Sequence, residues 1–255
     1  VDGLQNVNLS TNSTSTDISY DNVSATIAVA VVDSGNTRTV TLTTPGTTSI
    51  NEGTNGTTRS RSLIARLNAA STEATVVTLR PTGTATGGGA DYTLLSSTIT
   101  INPGFTTGST VVNSLGDDVD ESNETIVVDI SGVTGGEGAV EDGTQTLTFT
   151  ITDDDTAAID LRHKGAVSDN STVSETGTQD NLTIALGSQP TGNVVIDLTS
   201  EDTGEFTVSP AQVTFTTGNW NTTQTLTVTG VDDSIADGTQ QVQLRSSINT
   251  GLTAD

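Results

Sequence analysis

The sequence predicts an all-β chain folded as two tandem β-sandwiches with one additional strand ahead of them. Three observations lead there. Thr, Gly, Ser, Asn, Asp and Val dominate while Met is absent, a mixture that disfavours long helices and suits short strands joined by tight turns. Apolar and polar residues alternate in short runs, most clearly in Thr146-Leu147-Thr148-Phe149-Thr150-Ile151-Thr152, the period of a strand with one buried face. Acidic residues gather where those runs stop, as Asp153, Asp154 and Asp155 do there. Three carboxylates in a row repel one another unless a cation sits among them. With few Lys or Arg to serve, a hard divalent ion is the natural counter-charge.

Composition limits the function. The chain has 255 residues, enough for two sandwich domains, with 31% hydrophobic and 3% aromatic residues, so each core must be thin and aliphatic. The net charge of −23 excludes nucleic acid and anionic membrane surfaces as partners, since both require basic protein surface. No Cys is present, so disulfides contribute nothing, which suits a prokaryotic exterior. No apolar run approaches the roughly 20 residues of a membrane span, and the start at Val1 is that of a processed protein or a fragment. Eight N-x-S/T sequons, at Asn8, Asn12, Asn22, Asn55, Asn123, Asn170, Asn181 and Asn221, admit glycosylation, although a Thr-rich chain generates such triplets by chance.

Taken in order, residues 1–23 are polar and without a sustained period and read as a leader. Residues 24–33 form a compact β run ending in Asp33. Strands are expected at 39–43, 62–67, 74–80, 97–101, 108–115, 124–131 and 144–152, punctuated by turns at Asn51-Glu52-Gly53, Gly87-Gly88-Gly89, Pro103-Gly104 and Gly135-Gly136. Seven strands at this spacing indicate one sandwich, over residues 38–155. A second, over 156–255, has expected strands at 157–161, 181–186, 193–199, 211–216, 223–229 and 239–246.

The motifs Ile50-Asn51-Glu52-Gly53, Gly89-Ala90-Asp91-Tyr92, Ile99-Thr100-Ile101-Asn102-Pro103-Gly104, Asp117-Asp118-Val119-Asp120-Glu121-Ser122-Asn123-Glu124 and Thr150-Ile151-Thr152-Asp153-Asp154-Asp155 together resemble a Calx-β domain, in order and spacing, over about 115 residues. The resemblance implies an immunoglobulin-like sandwich of the kind found in sodium–calcium exchangers, integrin β4 and tandem bacterial surface proteins. Residues 156–255 resemble a related repeat of large bacterial adhesins through Val173-Ser174-Glu175-Thr176-Gly177, Val208-Ser209-Pro210, Asn219-Trp220-Asn221 and Thr229-Gly230-Val231-Asp232-Asp233.

On this resemblance the Ca2+ ligands of the first domain are Glu52, Asp91, Asp117, Asp118, Glu121, Asp153 and Asp155, converging at one end of the sandwich. The corresponding second-domain set is thinner: Glu175, Asp202, Asp232 and Asp233, with Asp237 in an eroded acidic hairpin. Nothing points to catalysis. His163 is the one histidine, and no nucleophile elbow, phosphate loop or zinc-ligand cluster occurs. Trp220 reads as packing rather than a ligand platform, and Arg59, Arg61, Arg66 and Arg80 as partners of nearby acids.

One strand is spare and another is wanting. The second domain lacks the closing strand that residues 144–155 give the first, while Thr26-Ile27-Ala28-Val29-Ala30-Val31-Val32-Asp33 parallels Thr146 to Asp153. Either the sequence is cut from a longer tandem array, or the strand of one copy, through Ile27, Val29, Val31 and Asp33, completes the second domain of another copy. The expectation is therefore a non-enzymatic extracellular structural protein: a Ca2+-stiffened filament subunit that polymerises with itself by strand donation, or spacer repeats of an adhesin. A calcium-sensing module and a carbohydrate-binding domain fit the composition less well.

Overall fold

The computed structural model describes residues 5–12, 24–31, 37–163, 170–236 and 238–253. They form β-strands and connecting turns with no helix, so no helix is long and apolar enough to cross a membrane.

The first sandwich holds β3 (Thr39–Thr43), β4 (Ser49–Asn51), β5 (Thr58–Leu67), β6 (Thr75–Gly83), β7 (Tyr92–Leu94), β8 (Thr98–Ile101), β9 (Thr107–Leu115), β10 (Glu124–Gly135), β11 (Val140–Glu141) and β12 (Thr146–Thr152). One sheet has the order β4-β12-β10-β6-β8 and the other β11-β3-β5-β9-β7. The period of two turns alternate residues inward: Phe149 and Ile151 of β12, Ile126 and Val128 of β10, Val77 and Leu79 of β6, and Leu63, Ala65 and Leu67 of β5 share a single core. All seven expected strands are present. β4, β7 and β11 are additional, and all three are too short for alternation to register. β12 is antiparallel to β10 and parallel to β4, so the closing strand is paired along both edges.

The second sandwich has β13 (Ile159–His163), β14 (Gln179–Leu186), β15 (Val194–Ser200), β16 (Phe206–Ser209), β17 (Gln212–Phe215), β18 (Gln224–Gly230) and β19 (Leu244–Ile248). The sheets are β13-β14-β18-β16 and β17-β15-β19, around a core that includes Ile184, Ile196, Leu198, Phe215 and Leu226. The last strand lies further along than the expected 239–246, because residues 238–243 are not strand. In the corresponding order β8-β6-β10-β12-β4 of the first domain, two further strands lie beyond β10. β19 is instead the edge strand among the described residues.

Ahead of both domains, β1 (Gln5–Asn12) and β2 (Ser24–Val31) pair antiparallel as a separate two-stranded sheet. Within the segment read as a leader, Gln5–Asn12 is thus a strand: Val7 and Leu9 alternate with Asn6, Asn8 and Ser10, a signal too short to stand without its partner strand. Asp33 and Asp237 lie outside the described residues.

Candidate metal centre

Five strand ends at one end of the first sandwich carry acids. Glu52 follows β4, Asp91 precedes β7, Asp117 and Asp118 follow β9, Glu121 precedes β10, Glu124 begins it, and Asp153 and Asp155 follow β12. Antiparallel strands bring alternate ends together, so residues about 100 apart in sequence become neighbours. Backbone geometry locks them in place. Glu52 N donates to Thr152 O at 2.9 Å, and Gly53, at φ +85°, turns the chain so that its own N donates to Asp154 Oδ1 at 2.8 Å. Thr54 bridges to Asp117, and a Cβ on Gly116 would fall 2.0 Å from Gly53 O, so only glycine lets β9 approach this turn.

The carboxylates converge in two overlapping groups. Glu52, Asp117 and Glu121 place oxygens within 4.8 Å of one another, and so do Asp91, Glu121 and Glu124. Glu121 joins the two. Glu52 is only 4% exposed. Burial, then the charges of Asp117, Glu121, Asp153 and Asp155, push its carboxyl up to about 7. Burial also lifts Glu124 to about 7, reinforced by a hydrogen bond and charge from Asp91. Glu121 is raised by burial and by Asp117, Asp91 and Asp153. Asp155 is raised by burial and by Asp118, Asp153 and Asp154, and its Oδ2 is buried with no hydrogen-bond partner. None of the ion pairs among the described residues includes any of these acids.

Crowded, partly buried carboxylates without cationic partners are costly in water alone. Their oxygen-only donor set matches the six to eight hard ligands that Ca2+ takes at flexible geometry, and it suits zinc or copper poorly. An orphaned buried Asp155 oxygen is what a missing cation would leave. The residues present fit the ion.

Of the seven first-domain residues expected from sequence, Glu52, Asp91, Asp117 and Glu121 fall within the two groups. Asp153 and Asp155 add their charge to the field at Glu52. Asp118 Oδ1 accepts from Asn55 N at 3.2 Å while its backbone O accepts from Gln189 N of the second sandwich at 2.6 Å. Asp153 Oδ1 accepts from Glu121 N at 3.3 Å. Glu124, which joins the second group, was not among the residues expected from sequence, although its place as the first residue of β10 was the available signal. Asp120 was missed too: its Oδ2 accepts from Ala157 N at 2.9 Å and so ties the acidic hairpin to the linker.

The second domain differs. Glu175, Asp202 and Asp232 are exposed. Asp202 Oδ1 accepts from Gly204 N at 2.9 Å, and Asp233 Oδ1 from Ile235 N at 2.8 Å, so both cap their own turns. Among the described residues no three of its carboxylates lie within ligand distance. The chain there offers fewer acids, and the loop after β18 folds them onto itself.

His163 is half-buried rather than a free surface residue. Its Nε2 is 2.7 Å from Asp180 Oδ2, the oxygen that also accepts from Ser171 Oγ at 2.6 Å. Serine and histidine both lean on the aspartate rather than on each other, so this is not a nucleophile–base pair. Of the four arginines, Arg80 pairs with Asp129 at 2.6 Å, while Arg61 donates to the carbonyls of Ser49 and Ser60.

Two tandem immunoglobulin-like sandwiches, the first with carboxylates grouped closely enough to hold a metal ion at one end, define the class: an all-β chain of tandem sandwich domains. The chain belongs to the Calx-beta domain family, whose model matches residues 33–155 and 165–251. The second segment therefore belongs to the same family as the first. Among solved structures, the chain is similar to the crystal structure of CBD12 from CALX1.2, with 14% identity, TM-score 0.37, and coverage of 78% of this chain and 76% of that one. It is likewise similar to the calcium binding domain CBD12 of CALX1.1, with 17% identity, TM-score 0.38, and coverage of 72% and 73%. A putative carbohydrate binding protein from Bacteroides ovatus follows at 11% identity, TM-score 0.33, and coverage of 67% and 51%. No curated protein matches the sequence.

Proposed function

We propose that this chain is a structural subunit of an extracellular filament, built from two Calx-β domains, stiffened by Ca2+ at their joint, and polymerised head to tail by donation of the strand around Ile27, Val29 and Val31 to the second sandwich of another copy. The observation that carries the reading is the edge position of β19 among the described residues, whereas its first-domain counterpart β10 is closed by β12 on the same side. An open edge of this kind recruits another strand.

The chain's connectivity favours donation between copies. Within the chain, β12 ends at Thr152 and six residues lead to β13 at Ile159. Between β2 and β3, from Val31 to Thr39, lie seven. A donated β2, antiparallel to β19 as β12 is to β10, would end at the far tip of the acceptor and pass into the donor's first domain through a linker of similar length. Each intersubunit joint would then repeat the joint inside the chain. Donation within one copy is too long a reach. Eight Cα steps span about 28 Å at most, while β5 alone, whose Leu67 end lies beside β3, puts β3 about 30 Å from the joint. The second sandwich lies beyond.

The net charge of −23 fits a Ca2+-rich exterior and no nucleic-acid partner. Carboxylates from five strand ends clamped by one or more Ca2+ ions would fix the acidic hairpin, whose Asp118 and Asp120 already hold Gln189 and Ala157. Electron microscopy of the purified chain in Ca2+, beside a variant lacking residues 1–33, tests the reading. Fibres from the full chain and monomers from the truncation support it. Monomers from both would leave adhesin-type spacer repeats as the function.

A further inference from the structure

The acceptor site in the second sandwich has two walls, and its width decides how β2 must enter. One wall is the free edge of β19. The other is found by matching the two domains. In the first, Gly116 packs against Gly53 O; in the second, Gly230 packs in the same way, with a Cβ there falling 2.1 Å from Ser174 O. Gly116 N donates to Thr57 O at 3.1 Å and Gly230 N to Thr178 O at 3.0 Å. Ser174 therefore holds the place of Gly53 and Thr178 that of Thr57, so residues 170–172 stand where Ser49–Asn51 do. Yet Ser49–Asn51 is strand β4, paired to β12, whereas residues 170–172 are not strand and pair with no strand among the described residues. They have the position of β4 without the neighbour that would make them a strand.

Between β19 and residues 170–172 the strand order of the first domain leaves a place for one strand, as β12 alone separates β10 from β4. A cleft of about 440 Å³ near the joint has walls that include Ile159, Leu186, Val194 and Ile248 of β19. β2, however, is not a lone strand. It is paired with β1 along eight residues, Gln5 opposite Val31 through Asn12 opposite Ser24. Register and period two place Val7, Leu9, Ile27, Val29 and Val31 on one face of this ribbon and Asn6, Asn8, Ser10, Ala28 and Ala30 on the other. A ribbon two strands wide does not fit a slot one strand wide.

We infer that β1 is a guard strand: resting on the filament reading above, it occupies the edge of β2 that the acceptor needs, and β2 enters the second sandwich of another copy only by exchanging β1 for β19 and residues 170–172. The exchange runs toward the filament because an isolated hairpin is marginal in water, whereas in the slot β2 is paired along both edges and its apolar face joins a core. Antiparallel to β19 and parallel to residues 170–172, it sets Val31 beside Ser171 in the register of Ile151 beside Ile50. The guard makes assembly slow without making it unfavourable, and keeps subunits single until they are together.

The absence of native cysteine makes a lock straightforward. Asn8→Cys with Ala28→Cys, opposite each other on the polar face, joins β1 to β2 when oxidised. Polymer is read by sedimentation and microscopy, alongside a variant lacking residues 1–12. The expected result is fibres from the reduced double variant, loss of fibres on oxidation, and a shortened lag for the truncation. If the oxidised variant polymerises as the reduced one does, the hairpin enters whole; the guard is then wrong while strand donation stands. If reduced variant, truncation and unmodified chain all remain monomeric, strand donation itself fails and the guard with it.

Discussion

Gly53 and Asp154, 101 residues apart in sequence, are joined by a 2.8 Å hydrogen bond from the glycine amide to Asp154 Oδ1. That bond separates the roles of three consecutive aspartates. Asp154 braces the turn that carries Glu52, while Asp153 and Asp155 lend their charge to the cluster.

Substitutions at these neighbours should therefore act in opposite senses. Asp154→Ala removes a charge-assisted hydrogen bond and should destabilise the metal-free protein by about 1.5–3 kcal/mol, lowering its melting temperature in chelator. Asp155→Asn relieves repulsion against Asp118, Asp153 and Asp154; it should raise the melting temperature in chelator and weaken Ca2+ binding measured by calorimetry. Equal losses from both would remove the distinction.

The raised carboxyls fix the sign of the pH response. Glu52 lies near 7 instead of 4.5 in the folded chain, as does Glu124. The folded state then binds more protons than the unfolded one between about 4.5 and 7, and stability falls as pH rises through that window, by up to about 1.4 kcal/mol per pH unit for each such group. Chelated protein should melt at a higher temperature at pH 5 than at pH 8. Saturating Ca2+ should cancel or reverse the order, because the metal competes with protons for the same oxygens.

Calcium should stabilise the first domain selectively. At 100-fold excess over its dissociation constant the gain is about 2.7 kcal/mol per site, visible as an upward shift of one calorimetric transition. Glu121→Gln, which removes a charge from the carboxylate common to both groups, should abolish most of that shift. A Ca2+-induced shift of both transitions of the chain would contradict the placement of the second domain's acids.

Gly116→Ala should be among the most damaging small substitutions in the chain. Its methyl would meet Gly53 O at 2.0 Å and Thr54 O at 2.5 Å, backbone atoms that cannot rotate away. Overpacking of this kind costs about 1–3 kcal/mol, and it would displace Glu52 as well, so Ca2+ affinity should drop together with stability. Gly132→Ala, with open space around its Cβ, is the control.

The sequence by itself determined the elements whose signal is local. Alternation in Thr146–Thr152 and in Ile126–Ile130 marks strands because a half-buried sheet imposes a period of two on any chain that forms it. Acids clustered at turns marked candidate metal ligands, and residues 26–33 repeat the alternation of 146–153. What depends on pairing was beyond its reach. β4 is three residues long and exists because β12 lies beside it; the corresponding residues 170–172 are not strand, with no such neighbour among the described residues. β1 became legible only once β2 paired with it. The tertiary structure also decided which carboxylates meet. It drew Glu124 into the centre, turned Asp154 and Asp120 into braces, and left Glu175, Asp202, Asp232 and Asp233 apart. Sequence records which residues can be ligands, but distances below 5 Å between residues a hundred positions apart are set by strand register and sheet order, which only the folded chain possesses.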